Sequence, residues 1–302
     1  MKENEEDILR KVRKIEIKTR GLSNDIFAGK YHSAFKGRGM AFSEVRDYRI
    51  GDDVRDIDWN VTARNRKPYV KVYEEERELT MMLLVDVSAS RQFGTQGQLK
   101  RNLAAEIAAV LAFSAAQNND KIGCILFSDR IEKYVPPKKG RQHVLRIISE
   151  LIDFEPAGSG TDLNEALRFF TNVMKKRCTA FLLTDFQDFA PGGAGTEEAL
   201  SVRFEEGLKI AAARHDLVGL RIYDIRETEL PNVGIIEMQD AETGRKVWVD
   251  SASAKTRERY ARYWAQASEA IDRVLTKCRV DTVSVATGED YVAALLRLFK
   301  MR

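Results

Sequence analysis

The chain has 302 residues, with 49 basic and 46 acidic side chains and a formal net charge of +3. That balance excludes the strongly basic surface of a dedicated nucleic-acid binder, though not a local basic patch. Hydrophobic residues at 44% supply a real core, in one large domain or a core domain with smaller additions. No apolar run approaches the roughly 20 residues that cross a bilayer, and the charged stretch from Lys2 to Asp7 is not a secretory signal. The three cysteines, Cys124, Cys178 and Cys278, make no Cys-x-x-Cys pair. Buried thiols in a soluble cytoplasmic protein are the expectation.

Residues 7–19 place Ile8, Leu9, Val12 and Ile15 on one helical face, ringed by Arg10, Lys11, Arg13 and Lys14. Such a helix docks on its own domain, or touches acidic lipid or RNA. Gly21 ends it, and a short helical piece is expected up to Ala28. Residues 42–73 are dense in charge: Glu44, Arg46, Asp47, Arg49, Asp52, Asp53, Arg55, Asp56, Asp58 and Arg64, with Tyr48, Trp59, Tyr69 and Tyr73 interleaved. Aromatics among bases suit single-stranded nucleic acid, but acids match bases almost one for one here and would repel phosphate. The expectation is an ion-pair mesh over a small aromatic core, with Trp59 buried. Gly51-Asp52 reads as a turn, and the alternation over 69–73 as a strand.

Residues 81–85 are five apolar side chains in a row, as in a strand buried on both faces of a parallel sheet. The run ends in Asp86, Ser88 and Ser90. After a Gly-Thr-Gln-Gly loop, an Ala-rich helix is predicted over 99–116. Further strands are expected at 121–127, 131–135 (an edge stopped by Pro136-Pro137), 178–184, 217–223 and 280–285. Helices are expected after Gly140 to residue 151, after Asp162, over 199–213, over 254–276 and over 290–299. A Gly-rich loop spans 191–195, and a hairpin across Thr243-Gly244 joins 235–236 to 246–249. At the start of the helix after residue 162, Asp162 with Glu165 makes a capping box, leaving the Thr161 hydroxyl unclaimed; alternatively Thr161 is itself the cap. Strands alternating with helices imply an α/β fold: an open, mostly parallel, doubly wound sheet over 76–302, with a hairpin insertion near 231–250, behind a segment of helix and small β-structure over 1–75.

In such a sheet, ligands bind outside the carboxyl ends of the strands. Asp86, Ser88 and Ser90 end one buried strand, Asp185 ends another, and Thr161 stands in a loop before a helix. These are hydroxyl and carboxylate oxygens with no His or Cys, a set for Mg²⁺, Mn²⁺ or Ca²⁺ rather than zinc or copper. The pattern resembles the metal-ion-dependent adhesion site of von Willebrand factor A domains, and Asp86, Ser88, Ser90, Thr161 and Asp185 match its five positions. The resemblance implies a divalent cation, Mg²⁺ first, whose shell a partner's Glu or Asp completes. Phe186 departs from the Gly common after that acid and puts a bulky ring near the site.

The run from Glu44 to Trp59 (Glu-Val-Arg-Asp-Tyr-Arg-Ile-Gly-Asp-Asp-Val-Arg-Asp-Ile-Asp-Trp), followed by Thr62-Ala-Arg64, resembles the signature of the bacterial family called "domain of unknown function 58". That resemblance implies a von Willebrand A-like domain behind the signature. It also implies a MoxR-type AAA+ ATPase, or its client, as partner of an adaptor or chaperone-like protein. Two other classes compete. Asp86 could be the nucleophile of a Mg²⁺-dependent phosphoryl-transfer enzyme, but such enzymes need an acid two residues on, where Ser88 stands, and no Lys is evident at a strand end. A hydrolase triad lacks both a Gly-x-Ser-x-Gly elbow and a histidine near Ser88, since His32, His143 and His215 fall elsewhere. The last class is an RNA or membrane-surface binder using the basic face from Lys11 to Lys18.

Overall fold

The computed structural model describes residues 41–65, 67–74, 79–95, 98–190, 200–242 and 244–302. The helices expected before residue 28, the loop over 191–195, half of the Gly-Thr-Gln-Gly loop and Thr243 lie outside the described residues. The described chain forms two compact units, one within Phe35–Leu79 and one over Thr80–Arg302.

The smaller unit pairs β1 (Ala41–Asp47) antiparallel with β2 (Tyr69–Glu74) and sets α1 (Trp59–Asn65) between them in sequence. Its acids act on the main chain as much as on each other. Asp58 Oδ1 accepts from the Asn60 and Val61 amides at 3.0 and 3.2 Å, capping α1. The Thr62 hydroxyl accepts from the Tyr69 amide at 3.0 Å. Arg46 grips both oxygens of Asp52 at 2.8 and 2.7 Å and holds that carboxyl down to about 2; Lys71 pairs loosely with Asp58 at 3.8 Å. The expected mesh is thus partly a set of caps. Trp59, expected inside, is instead 68% exposed. Two strands and a seven-residue helix enclose too little volume for an indole, and among the unit's residues whose side chains are described Val70 is the one that is buried.

The larger unit is a six-stranded sheet in the order β10-β7-β6-β3-β4-β5. In chain order its elements are β3 (Thr80–Asp86), α2 (Lys100–Gln117), β4 (Lys121–Phe127), β5 (Ile131–Lys138), α3 (Arg141–Asp153), α4 (Leu163–Val173), β6 (Thr179–Thr184), α5 (Glu205–Arg214), β7 (Asp216–Tyr223), α6 (Ile225–Thr228), β8 (Ile235–Gln239), β9 (Lys246–Asp250), α7 (Ala254–Lys277), β10 (Asp281–Ala286) and α8 (Tyr291–Met301). All neighbours are parallel except β5, which is antiparallel to β4. The chain therefore builds outward from β3 through β4 to β5, then returns to β6 on the other side of β3. This is an open, mostly parallel, doubly wound α/β sheet, as the alternation of elements implied.

The continuous apolar run of β3 is explained by burial on both faces. Met82 and Leu84 join Ile125, Phe127, Ala180 and Leu182 in a core closed by α4, α5 and α7. Met81, Leu83 and Val85 face the opposite layer and are equally buried. Helix α2 is buried nearly all round, so its Ala-rich sequence shows no polar stripe.

Two element boundaries differ from the sequence reading. β5 continues through Pro136-Pro137 to Lys138, because an edge strand has one row of amides with no partner to lose and the register shifts there. Helix α5 starts at Glu205 rather than near 199, because 200–204 pairs back on 188–190: the Ala190 amide donates to Ser201 O at 2.8 Å and the Arg203 amide to Asp188 O at 3.0 Å.

Gly123 lies under this edge. A Cβ there would stand 2.7 Å from Met82 Sδ and 2.9 Å from both Pro137 N and Val135 O. Gly123→Ala is expected to lower unfolding free energy by about 1–3 kcal/mol, the range for overpacking, as a fall in the urea midpoint at unchanged slope.

Candidate functional site

β3 and β6 are the adjacent strands between which the chain's progress across the sheet reverses, so their carboxyl ends frame the switch-point crevice. Asp86 is the last residue of β3 and Asp185 follows β6 directly. Asp86 has no exposed surface. Its Oδ2 accepts from the Thr184 hydroxyl at 2.7 Å and its Oδ1 from the Ser88 amide at 2.9 Å. The chain then turns through a 3₁₀ segment, Ala89–Gln92. Ser88 Oγ lies 3.1 Å from Ser90 Oγ, and Ser90 Oγ donates to Asp185 Oδ2 at 3.1 Å. Asp86, Ser88, Ser90 and Asp185 are thus joined in one hydrogen-bonded chain, through the Ser88 amide to Asp86 and through hydroxyl oxygens to Asp185.

Thr161 arrives on a separate loop. The Ala89 amide donates to Ser159 O at 3.1 Å, tying that loop to the 3₁₀ segment. Asp162 is the cap of α4, accepting from the Glu165 amide at 2.8 Å. Of the two caps the sequence allowed, this is the one that leaves Thr161 free. The Thr161 hydroxyl donates to Glu242 Oε1 at 2.8 Å. Gly158 packs this loop closely on its neighbours, since a Cβ there would displace the Asp129 and Ser128 side chains.

Phe186 does not crowd the site. Its backbone is left-handed (φ 61°), which turns the ring into the core. There its centroid is 5.8 Å from that of Phe204, and its Cζ lies 3.2 Å from where Gly219 would carry a Cβ. The αL strain of a non-Gly residue is about 1–2 kcal/mol, offset by burial of a whole phenyl ring. Asp185 is held on the near side by its own turn, with the Gln187 amide donating to Oδ1 at 3.1 Å.

Three functional side chains escaped the sequence reading. Lys100, the first residue of α2, is fully buried, with Nζ 2.9 Å from Asp185 Oδ2 and 2.6 Å from Glu227 Oε1. Glu227 also closes a capping box on α6, accepting from the Asp224 amide at 2.9 Å; Asp224-x-x-Glu227 was the legible signal for its place. Glu242 sits in the turn between β8 and β9. The histidines do lie elsewhere: His143 bonds Ile122 O at 3.0 Å and His215 contacts Cys178 Sγ at 3.4 Å, both at the amino ends of strands. His32 lies outside the described residues.

The electrostatics are those of negative charge in excess. Burial raises the Asp86 carboxyl, and the charge of Asp185 raises it further. Burial also pushes Asp185 up, but the ammonium of Lys100 outweighs it and holds that acid below its ordinary value. Glu227 is raised by burial despite the same lysine. Glu242 is pushed up to about 7 by burial and by the charges of Asp185 and Asp86. Around Asp86, four carboxylates (Asp86, Asp185, Glu227, Glu242) face two cations, Lys100 and Arg91, the latter donating to the Asp86 carbonyl oxygen. A divalent cation fits this deficit and this all-oxygen donor set. It would lean on Ser and Thr, because among the described residues no group of three His, Cys, Asp or Glu could hold a metal ion.

Fold and site together define a doubly wound α/β protein with a hydroxyl-carboxylate cluster at its switch point. The family model described as "Protein of unknown function DUF58" matches residues 44–270, and the chain belongs to that family. The uncharacterized protein Rv1480 of Mycobacterium tuberculosis is 31% identical over 296 residues, 96% of this chain and 88% of its own length. MAV169 of Mycobacterium avium is 28% identical over 173 residues, covering 56% of this chain and 93% of that one. Among solved structures, BatB from Bacteroides thetaiotaomicron shares 17% identity at a TM-score of 0.47, over 74% of this chain and 98% of that one. Mussel byssus proximal thread matrix protein 1, with a zinc-occupied MIDAS motif, shares 13% at a TM-score of 0.38, over 74% and 46%. No helix among the described residues is long and apolar enough to cross a membrane.

Lys100→Met keeps the length and apolar stem but strips the cation from two buried acids. It is expected to cost about 3–5 kcal/mol at neutral pH, as for breaking a buried pair from one side, measured by chemical denaturation.

Proposed function

We propose that this protein is a metal-ion-dependent protein-interaction module. Asp86, Ser88, Ser90, Thr161 and Asp185 would hold one divalent ion, Mg²⁺ before Mn²⁺ or Ca²⁺. The observation that carries this reading is the hydrogen-bonded chain from Asp86 through Ser88 and the half-buried Ser90 to Asp185 at the switch point, with carboxylates in excess over cations. A bound ion would supply residual positive charge for a partner's carboxylate, since three of its five ligands are neutral hydroxyls. The chain's own residues do the positioning. Thr184 and the Ser88 amide fix the Asp86 carboxylate, Lys100 fixes Asp185, and the Asp162 cap leaves the Thr161 hydroxyl available. Among the described residues neither a nucleophile–base pair nor a histidine stands beside Ser88, which supports binding rather than turnover. The partner we propose is a MoxR-type AAA+ ATPase or its client, with this chain as adaptor, a reading that rests on the family resemblance.

One observation favours a second reading. Lys100 beside Asp185 supplies the lysine that a Mg²⁺-dependent phosphoryl-transfer site needs, with Asp86 as nucleophile. Against it, Ser88 stands where a second acid is required, and Lys100 is already held by two carboxylates.

Two measurements test these readings. Mg²⁺ or Mn²⁺ at a hundredfold excess over Kd should stabilise the purified chain by roughly 2.7 kcal/mol. Asp86→Ala and Ser88→Ala should lose that gain, and an unmoved melting temperature in wild type with all three ions would overturn the site. Separately, co-purification of a MoxR-type ATPase should disappear with EDTA, return with Mg²⁺, and be absent in folded Ser88→Ala. Chelator-insensitive capture by folded protein contradicts the mechanism, and Mg²⁺-dependent hydrolysis of p-nitrophenyl phosphate lost in Asp86→Asn would put the enzyme first.

A further inference from the structure

The hairpin of β8 and β9 carries a carboxylate to the site from a part of the chain that the five-residue pattern does not include. Glu242 Oε1 accepts from Thr161 Oγ1 at 2.8 Å. Hydrogen bonds on either side of Thr243 close the turn that presents it. The Glu242 amide donates to Asp240 Oδ1 at 2.9 Å, the Asp240 amide to Arg245 O at 2.9 Å, and the Gly244 amide to Asp240 O at 2.9 Å. Gly244 takes the positive φ, 69°, that closes the turn. A second contact fastens the same tip to the same loop, Ser159 Oγ donating to Glu242 O at 3.1 Å.

The strands behind this tip are exposed on both chains of the ribbon. Ile235 is 71% and Trp248 70% accessible. At the root, Ser251 Oγ donates to Gly234 O at 2.6 Å and accepts from the Val233 amide at 3.0 Å. The ribbon is thus anchored at its root and at Glu242, with strands that are marginal by themselves. Among the described residues no Lys or Arg pairs with the Glu242 carboxylate. It faces Asp86 and Asp185 instead, two charges of its own sign. A half-buried acid held by a single hydroxyl and burdened by the charges of two other acids is relieved by a proton or by a cation, and a cation held by Asp86, Ser88, Ser90 and Asp185 with Thr161 would supply that relief.

We propose that Glu242 is an internal ligand of the switch-point site, occupying in cis the position that a partner's carboxylate takes in trans, so that partner binding requires the β8–β9 tip to leave. This rests on the metal-site reading above. The hairpin then acts as a built-in competitor. With an ion bound it would close onto the shell beside Thr161, and an acidic segment of a partner must displace it.

The test uses the full chain and Mn²⁺ as the probe. Calorimetry gives the affinity, and water-proton relaxation of bound Mn²⁺ reports how many inner positions are open to solvent. Glu242→Ala and the shape-conserving Glu242→Gln should weaken Mn²⁺ binding by about tenfold, the lower end of the loss seen when a group supporting a metal site is removed. Both should raise the relaxation enhancement, because a position held by the carboxylate passes to water. Acetate, a small free carboxylate, should then reverse that rise in Glu242→Ala at concentrations that leave wild type unchanged. Wild-type affinity and enhancement in both variants, with binding still abolished by Asp86→Ala, would overturn the internal ligand and leave the metal site standing. No Mn²⁺ binding by wild type would overturn both.

Discussion

A carboxylate with no accessible surface, placed at the end of the central strand, is the constraint around which this molecule is arranged. Withdrawing such a charge from water costs several kcal/mol even after relaxation, so its surroundings are committed to it. The Thr184 hydroxyl and the Ser88 amide each take one oxygen of Asp86. The arginine of the following turn reaches back to the main-chain oxygen of the same residue. The next acid across, Asp185, cannot share that compensation and takes its own cation from the first residue of α2, which Glu227 shares in turn. A chain of local necessities therefore runs from one buried acid through three strand ends. It still leaves negative charge uncancelled.

The small unit solves a different problem with the same residue types. Asp58 and Thr62, both within the family signature, spend their oxygens on main-chain amides that a short helix and a two-stranded ribbon leave open. Asp52 stabilises its turn by taking both the Arg46 guanidinium and the Arg49 amide, the latter at 2.8 Å. The density of charge there reflects scarcity of core. With little apolar volume available, the segment is held by directed polar contacts.

Most of the sheet was legible because burial writes itself into period and composition. The apolar runs at 81–85 and 121–127 name two central strands, and the residues that end the strands name four of the five site positions. Thr161 was legible as a pair of alternatives, and only the geometry of the Asp162 cap separates them. Trp59 was misread because an aromatic in a charged segment was assumed to have a core to enter. The start of α5 was misread because helical propensity over 199–204 yields to a β-bridge with 189, a pairing no local window contains. Lys100 and Glu242 were invisible for a related reason. Each lies far along the chain from its partners, at a helix start and in a hairpin turn, where Lys and Glu are ordinary surface residues. Phe186 was read correctly as unusual but placed on the wrong side. Its left-handed backbone, not its size, decides where the ring goes.

The two prolines inside β5 bear on how this sheet meets other proteins. A strand at a margin offers its free amides as a template for a further strand, and proteins guard such margins with proline, charge or bulges. Here the guard is built in twice, as Pro136-Pro137 and as the register shifts against β4. Prolines carry no amide hydrogen, and the bulge they form opposite Gly123 breaks the regular spacing of donors along that strand. Extension of the sheet from the β5 margin is accordingly disfavoured, because an incoming chain meets an interrupted ladder there.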